Sequence, residues 1–426
     1  MSQIRIIYTS LRFGLPKTSR SGSPRLLSTF ASPRLAGEEP DLYGVGGFHR
    51  VALGDTFDDG RYRILRKLGY GQYSTVWLAR DSKHQRYVAL KIPRADCYGG
   101  PERVLLSKIT ETCARSKHEG RHFILPILHQ FKHAGPNGVH VCFVFDVLGH
   151  HLYFQCSKYE DGRLPVRSVK LIARQLLLGL DFLHTECGVI HTDIHPKNIL
   201  LELENPHAAI SRHLSEVYPR TDTRSGEVLP LREVMKIPPI SEIKEPHIRI
   251  IDFGVALRAP EVTIGAPWDA GVDIWTVGCL IVEFMQGIVL FSGQESKHGD
   301  WTADEDRLAR TIEVLGAFPA ELLKKGNRTR EFFNEHGTHT QIWGAIIPVL
   351  CIDATFATGT LRRIANLNPT TLESIIDGPE SPFLKPDDMP HAEVPIFIDF
   401  LKGMLAINPD HRRSAAELLR HGWLKQ

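Results

Sequence analysis

The sequence has no C-x-x-C pair, and its seven cysteines (Cys97, Cys113, Cys142, Cys156, Cys187, Cys279 and Cys351) are scattered and odd in number. That spacing argues against a disulfide framework and a zinc knuckle and points to a reducing compartment. No apolar run has the length and purity of a bilayer-spanning helix. The most hydrophobic stretches, Cys279 to Phe291 and Ile342 to Thr355, are short or carry acids such as Glu283 and Asp353, so no membrane association is expected. Neither sign of charge dominates: 51 Lys plus Arg against 49 Asp plus Glu leave a net charge of +2. Such a balance supplies no general attraction to nucleic acid or to anionic lipid. A basic stripe interleaved with aromatics is also missing, so no direct nucleic-acid partner is expected. The first 37 residues contain no Asp or Glu but do contain Arg5, Arg12, Lys17, Arg20, Arg25 and Arg34. Two readings fit residues 1–45: a disordered basic tail, or a mitochondrial transit peptide. The rest of the chain is expected in the cytoplasm or nucleus, with the mitochondrion as the alternative, and as a monomer.

With 426 residues and 42% hydrophobic content, the chain can bury a large core. From Tyr62 to Ile92 the pattern has period two, with β-branched and aromatic residues in Val76-Trp77-Leu78 and Tyr87-Val88-Ala89-Leu90-Lys91-Ile92. This predicts a small antiparallel lobe. After Leu148-Gly149 the periodicity turns helical. Val169, Ile172, Leu176, Leu180 and Leu183 form one apolar face of a long helix starting just after Pro165. Ser414-Ala415-Ala416-Glu417 has the capping-box spacing and opens a last helix that carries Leu418 and Leu419 toward Trp423. The expected fold class is α+β, a small β lobe over residues 46–148 with one main helix, followed by a large, mainly α lobe over 149–424. A polar, proline-bearing insertion over 205–246 reads as a surface excursion.

Four segments carry chemistry. Leu68-Gly69-Tyr70-Gly71-Gln72-Tyr73-Ser74-Thr75-Val76 puts two glycines in a turn between strands, where missing side chains let backbone N–H groups approach phosphate oxygens. Glycines also occur in hairpin turns for conformational reasons alone. Lys91 places one cation in an apolar strand, suited to the α- and β-phosphates of ATP rather than to mere snorkelling. Its expected partner is Glu102, which could equally be a first-turn acid favoured by the helix dipole. His191-Thr192-Asp193-Ile194-His195-Pro196-Lys197-Asn198 sets an Asp and an Asn on one tight loop. Asp193 is suited to accept the substrate hydroxyl proton and Asn198 to ligate Mg²⁺. Ile250-Ile251-Asp252-Phe253-Gly254 ends a strand with an acid suited to the same ion.

In this order, the four segments resemble the eukaryotic protein kinases, and their wording is most similar to the SR-protein kinase family. The similar stretches include Gly54-Asp55 through Arg61-Tyr62, His140-Val141-Cys142-Phe143-Val144-Phe145-Asp146-Val147-Leu148-Gly149-His150-His151-Leu152, Ala259-Pro260-Glu261 and Gly271-Val272-Asp273-Ile274-Trp275. The resemblance implies a bilobal kinase fold that transfers the γ-phosphate of ATP to Ser or Thr of Arg/Ser-rich proteins. It implies that Leu68, Gly69, Gly71, Ser74, Val76, Ala89, Lys91 and Glu102 face ATP. It further implies that Phe145 is the gatekeeper, that Asp146 to Leu148 form the adenine hinge, that Glu261 pairs with Arg412, and that Asp273 anchors the catalytic loop. The insertion falls where this family carries its spacer.

The pattern is broken in places. Only Val255, Ala256, Leu257 and Arg258 separate Asp252-Phe253-Gly254 from Ala259-Pro260-Glu261, where the family has some tens of residues. That span reaches at most about 18 Å and leaves little with which to build a substrate platform. A removed internal piece accounts for it, and the competing expectation is a pseudokinase or docking module for Arg-rich proteins. His195 stands where the family often has a Lys, and residues 338–358 match nothing in the family. Receiving Arg-rich peptide requires local acidity. Asp304, Glu305 and Asp306 fall where the family has its acidic docking groove; a plain acidic helix start fits them equally.

Overall fold

The period-two pattern folds as expected into antiparallel strands, and the alternation of side chains decides what each face covers. The computed structural model describes residues 38–425 apart from 160, 223–228, 234, 236, 254–258 and 335–359. It divides into two compact units. One, here the sheet unit, comprises residues 38–158 with Pro196–Phe253; the other, the helical unit, comprises Tyr159–His195 with 259–425.

The sheet unit is built on β1 (Thr56–Phe57), β2 (Tyr62–Tyr70), β3 (Ser74–Asp81), β4 (Arg86–Pro93), β5 (His129–Gly135) and β6 (Gly138–Phe145). Their order is β1-β2-β3-β4-β6-β5, every pairing antiparallel. Val88, Leu90 and Ile92 of β4 point to one face, against Tyr62, Trp77 and Val144. Ala89 points to the other, with Leu78, Phe143, Phe145 and Leu106 of helix α1 (Glu102–Arg115). Burying each large side chain in these faces contributes roughly 1.5–3 kcal/mol. Helix α2 (Leu152–Cys156) follows β6 after a short connection, and β7 (Ile199–Leu201) pairs with β10 (Ile248–Ile250).

Two expectations about this unit are corrected. Ordered structure starts ahead of Gly46: Pro40–Tyr43 form a 3-10 turn, Tyr43 is buried, and the Glu38 carboxylate meets Lys67 of β2 at 2.5 Å. Both members of this pair are almost fully covered, Glu38 at 5% and Lys67 at 2% exposure. The insertion, in its described residues, is likewise more than a surface excursion. Asn205 caps helix α4 (Pro206–Glu216) by accepting the Ala208 amide at 3.1 Å, and α4 buries Ile210 completely. The chain then forms a small ladder of β8 (Thr221–Asp222) with β9 (Leu229–Pro230) and runs beside the end of β2. There the Glu233 amide donates to the Lys67 carbonyl at 2.9 Å, and Met235 and Ile240 are buried. The physical reason is that the insertion brings its own apolar anchors. The sheet unit runs to Lys158 and takes in 196–253.

The helical unit holds α3 (Val166–Phe182), α5 (Pro260–Thr263), α6 (Gly271–Gln286) and α7 (Ala303–Leu315). Shorter helices complete it: α8 (Ala320–Lys325), α9 (Thr329–Phe332), α10 (Leu372–Ile376), α11 (Val394–Met404) and α12 (Ala415–Leu418). The expected face of α3 is realised, with Val169, Ile172, Leu176, Leu180 and Leu183 at 0–1% exposure. The capping box at Ser414 and Glu417 is present, but α12 ends at Leu418 and a separate 3-10 turn, Gly422–Lys425, delivers the buried Trp423. The short junction 255–258 and the unmatched stretch 338–358 lie outside the described residues.

Candidate active site

Between β2 and β3 the chain turns through Gly71, whose amide donates to the Ser74 carbonyl at 2.9 Å. Neither Gly69 nor Gly71 has a positive φ, so no left-handed conformation demands glycine there. A Cβ on Gly71 would meet nothing within 4 Å. Internal packing therefore does not require the glycine either, and the missing side chain leaves open space beside the backbone N–H groups. Below the turn, one apolar cluster gathers Leu68, Val76, Ala89, Phe145 and Leu148 with Leu203. Ser74 is buried at the start of β3 and Asp146 is exposed just beyond β6.

Antiparallel register sets Lys91 opposite Val76 on one side and Phe143 on the other. Its ammonium donates to Glu102 at 2.6 Å and to Asp252 at 2.7 Å. Burial works to lower the Lys91 pKa, but the carboxylates of Asp252 and Glu102 outweigh it and hold it above the ordinary lysine range. Pro101 precedes Glu102 as the N-cap of α1, which explains why this carboxylate sits at the helix start, facing β4.

Asn198 and Asp252 are 54 residues apart in sequence, and the β7–β10 pair brings them together. Asn198 stands immediately before β7 and Asp252 two residues beyond β10, with the Ile251 amide donating to the Asn198 carbonyl at 3.0 Å. The Asn198 amide nitrogen faces the Asp252 carbonyl at 3.5 Å, which orients its side-chain oxygen the other way. Asp252 has φ 61°, a left-handed conformation that non-glycine residues adopt rarely. Holding it costs on the order of 1–3 kcal/mol, a strain characteristic of residues whose direction matters. Two hard oxygens, one carboxylate and one amide, fit a divalent cation that takes its remaining ligands from water and phosphate.

Asp193 belongs to the helical unit, whose chain passes to the sheet unit between His195 and Pro196. Buried Asp273 of α6 holds this loop by accepting the His191 and Thr192 amides at 2.8 Å each. The same carboxylate accepts from His184 at 2.8 Å. His184 lies in a π-helical turn, Leu183–Cys187, that extends α3. Thr192 has φ 68°, so the loop is strained and needs this anchor. His195 places Nε2 3.7 Å from the Asp193 carboxylate. Nothing in the sequence singles out His184, because its role depends on the π turn. Glu261 and Arg412 are fully buried and paired at 2.5 and 2.7 Å.

The acidic docking expectation is corrected. Glu305 and Asp306 are 3% and 2% exposed. Thr302 and Glu305 form a reciprocal capping box at the start of α7, and Asp306 accepts from Arg310 at 2.8 Å and from the Gln294 amide at 2.7 Å. Only Asp304 reaches the surface, where Arg307 donates to it at 2.6 Å. Spent on the helix and buried, Glu305 and Asp306 have no capacity left for an incoming guanidinium. A cavity of about 460 Å³ near Leu315, Leu372 and Leu405 in the same unit carries none of the candidate catalytic residues.

The residues from 62 to 424 match the family described as protein kinase domain, so the chain belongs to the protein kinases. It uses ATP and a divalent metal ion. Three relatives narrow the family. The chain is 30% identical to serine/threonine-protein kinase SRPK of Physarum polycephalum over 91% of each chain. It is 28% identical to protein kinase dsk1 of Schizosaccharomyces pombe, over 91% of this chain and 85% of that one. To human SRSF protein kinase 3 it is 26% identical, over 95% and 94% respectively. Within the protein kinases it is a serine/threonine kinase of the SR-protein kinase family.

Proposed function

We propose that this kinase transfers the γ-phosphate of ATP, with Mg²⁺, to serine in Arg/Ser-rich proteins. The observation that carries the phosphotransfer site is Lys91 bridging Glu102 at 2.6 Å and Asp252 at 2.7 Å. A lysine so held is fully charged and fixed in direction, ready for the α- and β-phosphates. The glycine turn covers the phosphates through its N–H groups, and the apolar cluster around Ala89 and Leu148 receives adenine, with Asp146 to Leu148 as the hinge. Asn198 and Asp252 hold Mg²⁺, which when bound neutralises phosphate charge. Asp193 accepts the hydrogen of the serine hydroxyl as the oxygen bonds to phosphorus and the bond to ADP breaks. Asp273 and His184 position the loop that carries Asp193.

The Arg/Ser preference is supported by the relatives, one of which is named an SRSF protein kinase. The acids that receive arginine are then others than Glu305 and Asp306. The same reading makes the protein a monomer of the cytoplasm or nucleus, in keeping with its scattered, odd-numbered cysteines. The test is phosphate transfer from Mg²⁺–ATP to an Arg-Ser repeat peptide, beside a Lys-Ser peptide, with Asp193→Asn as control. Transfer to the Arg-Ser peptide that disappears in the variant is expected. Nucleotide binding without transfer to any peptide would return the chain to the pseudokinase reading, and equal transfer to both peptides would remove the arginine preference.

A further inference from the structure

Glu233 fastens the insertion to the sheet unit. Its buried carboxylate meets Arg66 at 3.3 Å and His213 at 3.1 Å. Fastening Glu233 sets its neighbour Arg232 beside the glycine turn. Arg232 Nε lies 4.0 Å from where a Cβ on Gly69 would stand, and its guanidinium carbon is 5.8 Å from the Phe154 ring centre. That Nε is sealed from water and has no hydrogen-bond partner, and no carboxylate pairs with the guanidinium among the described residues. The nearest acid in sequence, Glu233, is already satisfied by Arg66 and His213.

Other donors converge on the same one-turn helix. Both ring nitrogens of His150 are buried, with the Met235 backbone alongside. His151 accepts the Phe154 amide on Nδ1 at 3.3 Å, which leaves Nε2 as its protonated donor. Exposed Lys197, four positions along the loop from Asp193, stands 5.3 Å from the Tyr153 ring centre. Burial and then the neighbouring cations hold His150 down to about 4 and His151 to about 3. Near neutral pH both rings are therefore uncharged donors. A partly buried guanidinium whose Nε is sealed from water and unpartnered gains from an anion that completes it. Arginine's forked donors match a phosphoryl group in particular.

We propose that Arg232, with His150, His151 and Lys197, forms an anion site for a phosphoryl dianion. At a kinase that group comes from a side chain phosphorylated beforehand or from the nucleotide. With the first source the enzyme would favour substrates already carrying phosphoserine, a use that rests on the kinase reading although the binding itself does not.

The probes are acetyl-phosphoserine amide, inorganic phosphate and Mg²⁺–ADP, titrated calorimetrically into the full chain and into Arg232→Gln and Arg232→Lys. The expected result is phosphoserine binding that inorganic phosphate competes away and that Arg232→Gln weakens about tenfold or more. Arg232→Lys should keep part of it, with the melting temperatures of both variants unchanged. Unaltered ADP affinity in Arg232→Gln assigns the site to a phosphorylated side chain, and a parallel fall in ADP affinity assigns it to the nucleotide. Affinities for phosphoserine and ADP that are the same in wild type and Arg232→Gln would overturn the proposal. Peptide transfer on the same preparations separates the two readings, because lost transfer with retained phosphoserine binding removes the kinase function and leaves the anion site standing.

Discussion

Lys91 is the residue on which most of the site converges, and its two carboxylates are not equivalent. Glu102 is fixed by the start of α1, whereas Asp252 is also the ligand proposed above for the metal ion. Replacing Glu102 by Gln leaves Lys91 held by Asp252 alone and draws that carboxylate from the metal. Because a charge-assisted hydrogen bond contributes about 1.5–3 kcal/mol, kcat/KM should fall about 10- to 100-fold. Steady-state kinetics with varied Mg²⁺ checks this, and a variant as fast as wild type at all Mg²⁺ concentrations would refute it. Asp193→Asn should lower kcat by about 10²–10⁴-fold with nucleotide affinity kept, the size expected for loss of a general base. These residues were legible in the sequence because each lies in a short segment whose neighbours reveal it. His184 and Arg232 were not, since a π turn and an insertion had to fold before either acquired a role.

At the scale of elements, buried charge decides two outcomes. The Glu38–Lys67 pair ties the segment before Gly46 to β2, close to the glycine turn. Breaking one partner of a buried pair costs about 3–5 kcal/mol, so Glu38→Gln should lower the urea midpoint strongly. Exposed Glu39→Gln should stay within about 0.5 kcal/mol of wild type, and Glu38→Gln joined to Lys67→Met should recover much of the loss. An unchanged midpoint in Glu38→Gln would show that the pair carries no weight. The α7 acids behave differently from their expected role. Glu305→Ala removes half of a capping box and should cost about 0.5–2 kcal/mol, while affinity for an Arg-Ser peptide stays as it was. Weaker peptide binding with undiminished stability would reinstate Glu305 as a docking acid. Thr302-Ala303-Asp304-Glu305 already has the capping-box spacing, and Asn205-Pro206 has the signature of a helix start, so both misreadings had a local signal against them.

For the molecule as a whole, neutral buried histidines set the response to acid. Burial, then His133 and His140, pushes His49 down to about 4, and His150 is held at about 4 as well. An unfolded histidine takes up its proton near pH 6.5. Above that pH neither state is protonated at these sites and their contribution to stability is complete. Between about 6.5 and 4 the unfolded chain binds protons that the folded chain refuses, so stability falls as pH falls. Urea midpoints measured at pH 7.5, 5.5 and 4.5 should decline in that order, and His49→Gln or His150→Gln should flatten the decline. A constant midpoint across the window would contradict these shifts.

The sequence by itself determined the kind of fold, the family and the order of the segments that carry Lys91, Asp193, Asn198 and Asp252. Local periodicity and short motifs act over a few residues, and they survive without knowledge of what packs on them. Tertiary structure alone decided where the insertion goes, that Glu38 is buried, and that Glu305 and Asp306 are spent internally. It also placed Arg232 beside Gly69, with no carboxylate paired to it among the described residues. Those outcomes depend on which surfaces exclude water, and burial is a property of the folded chain that no single segment carries.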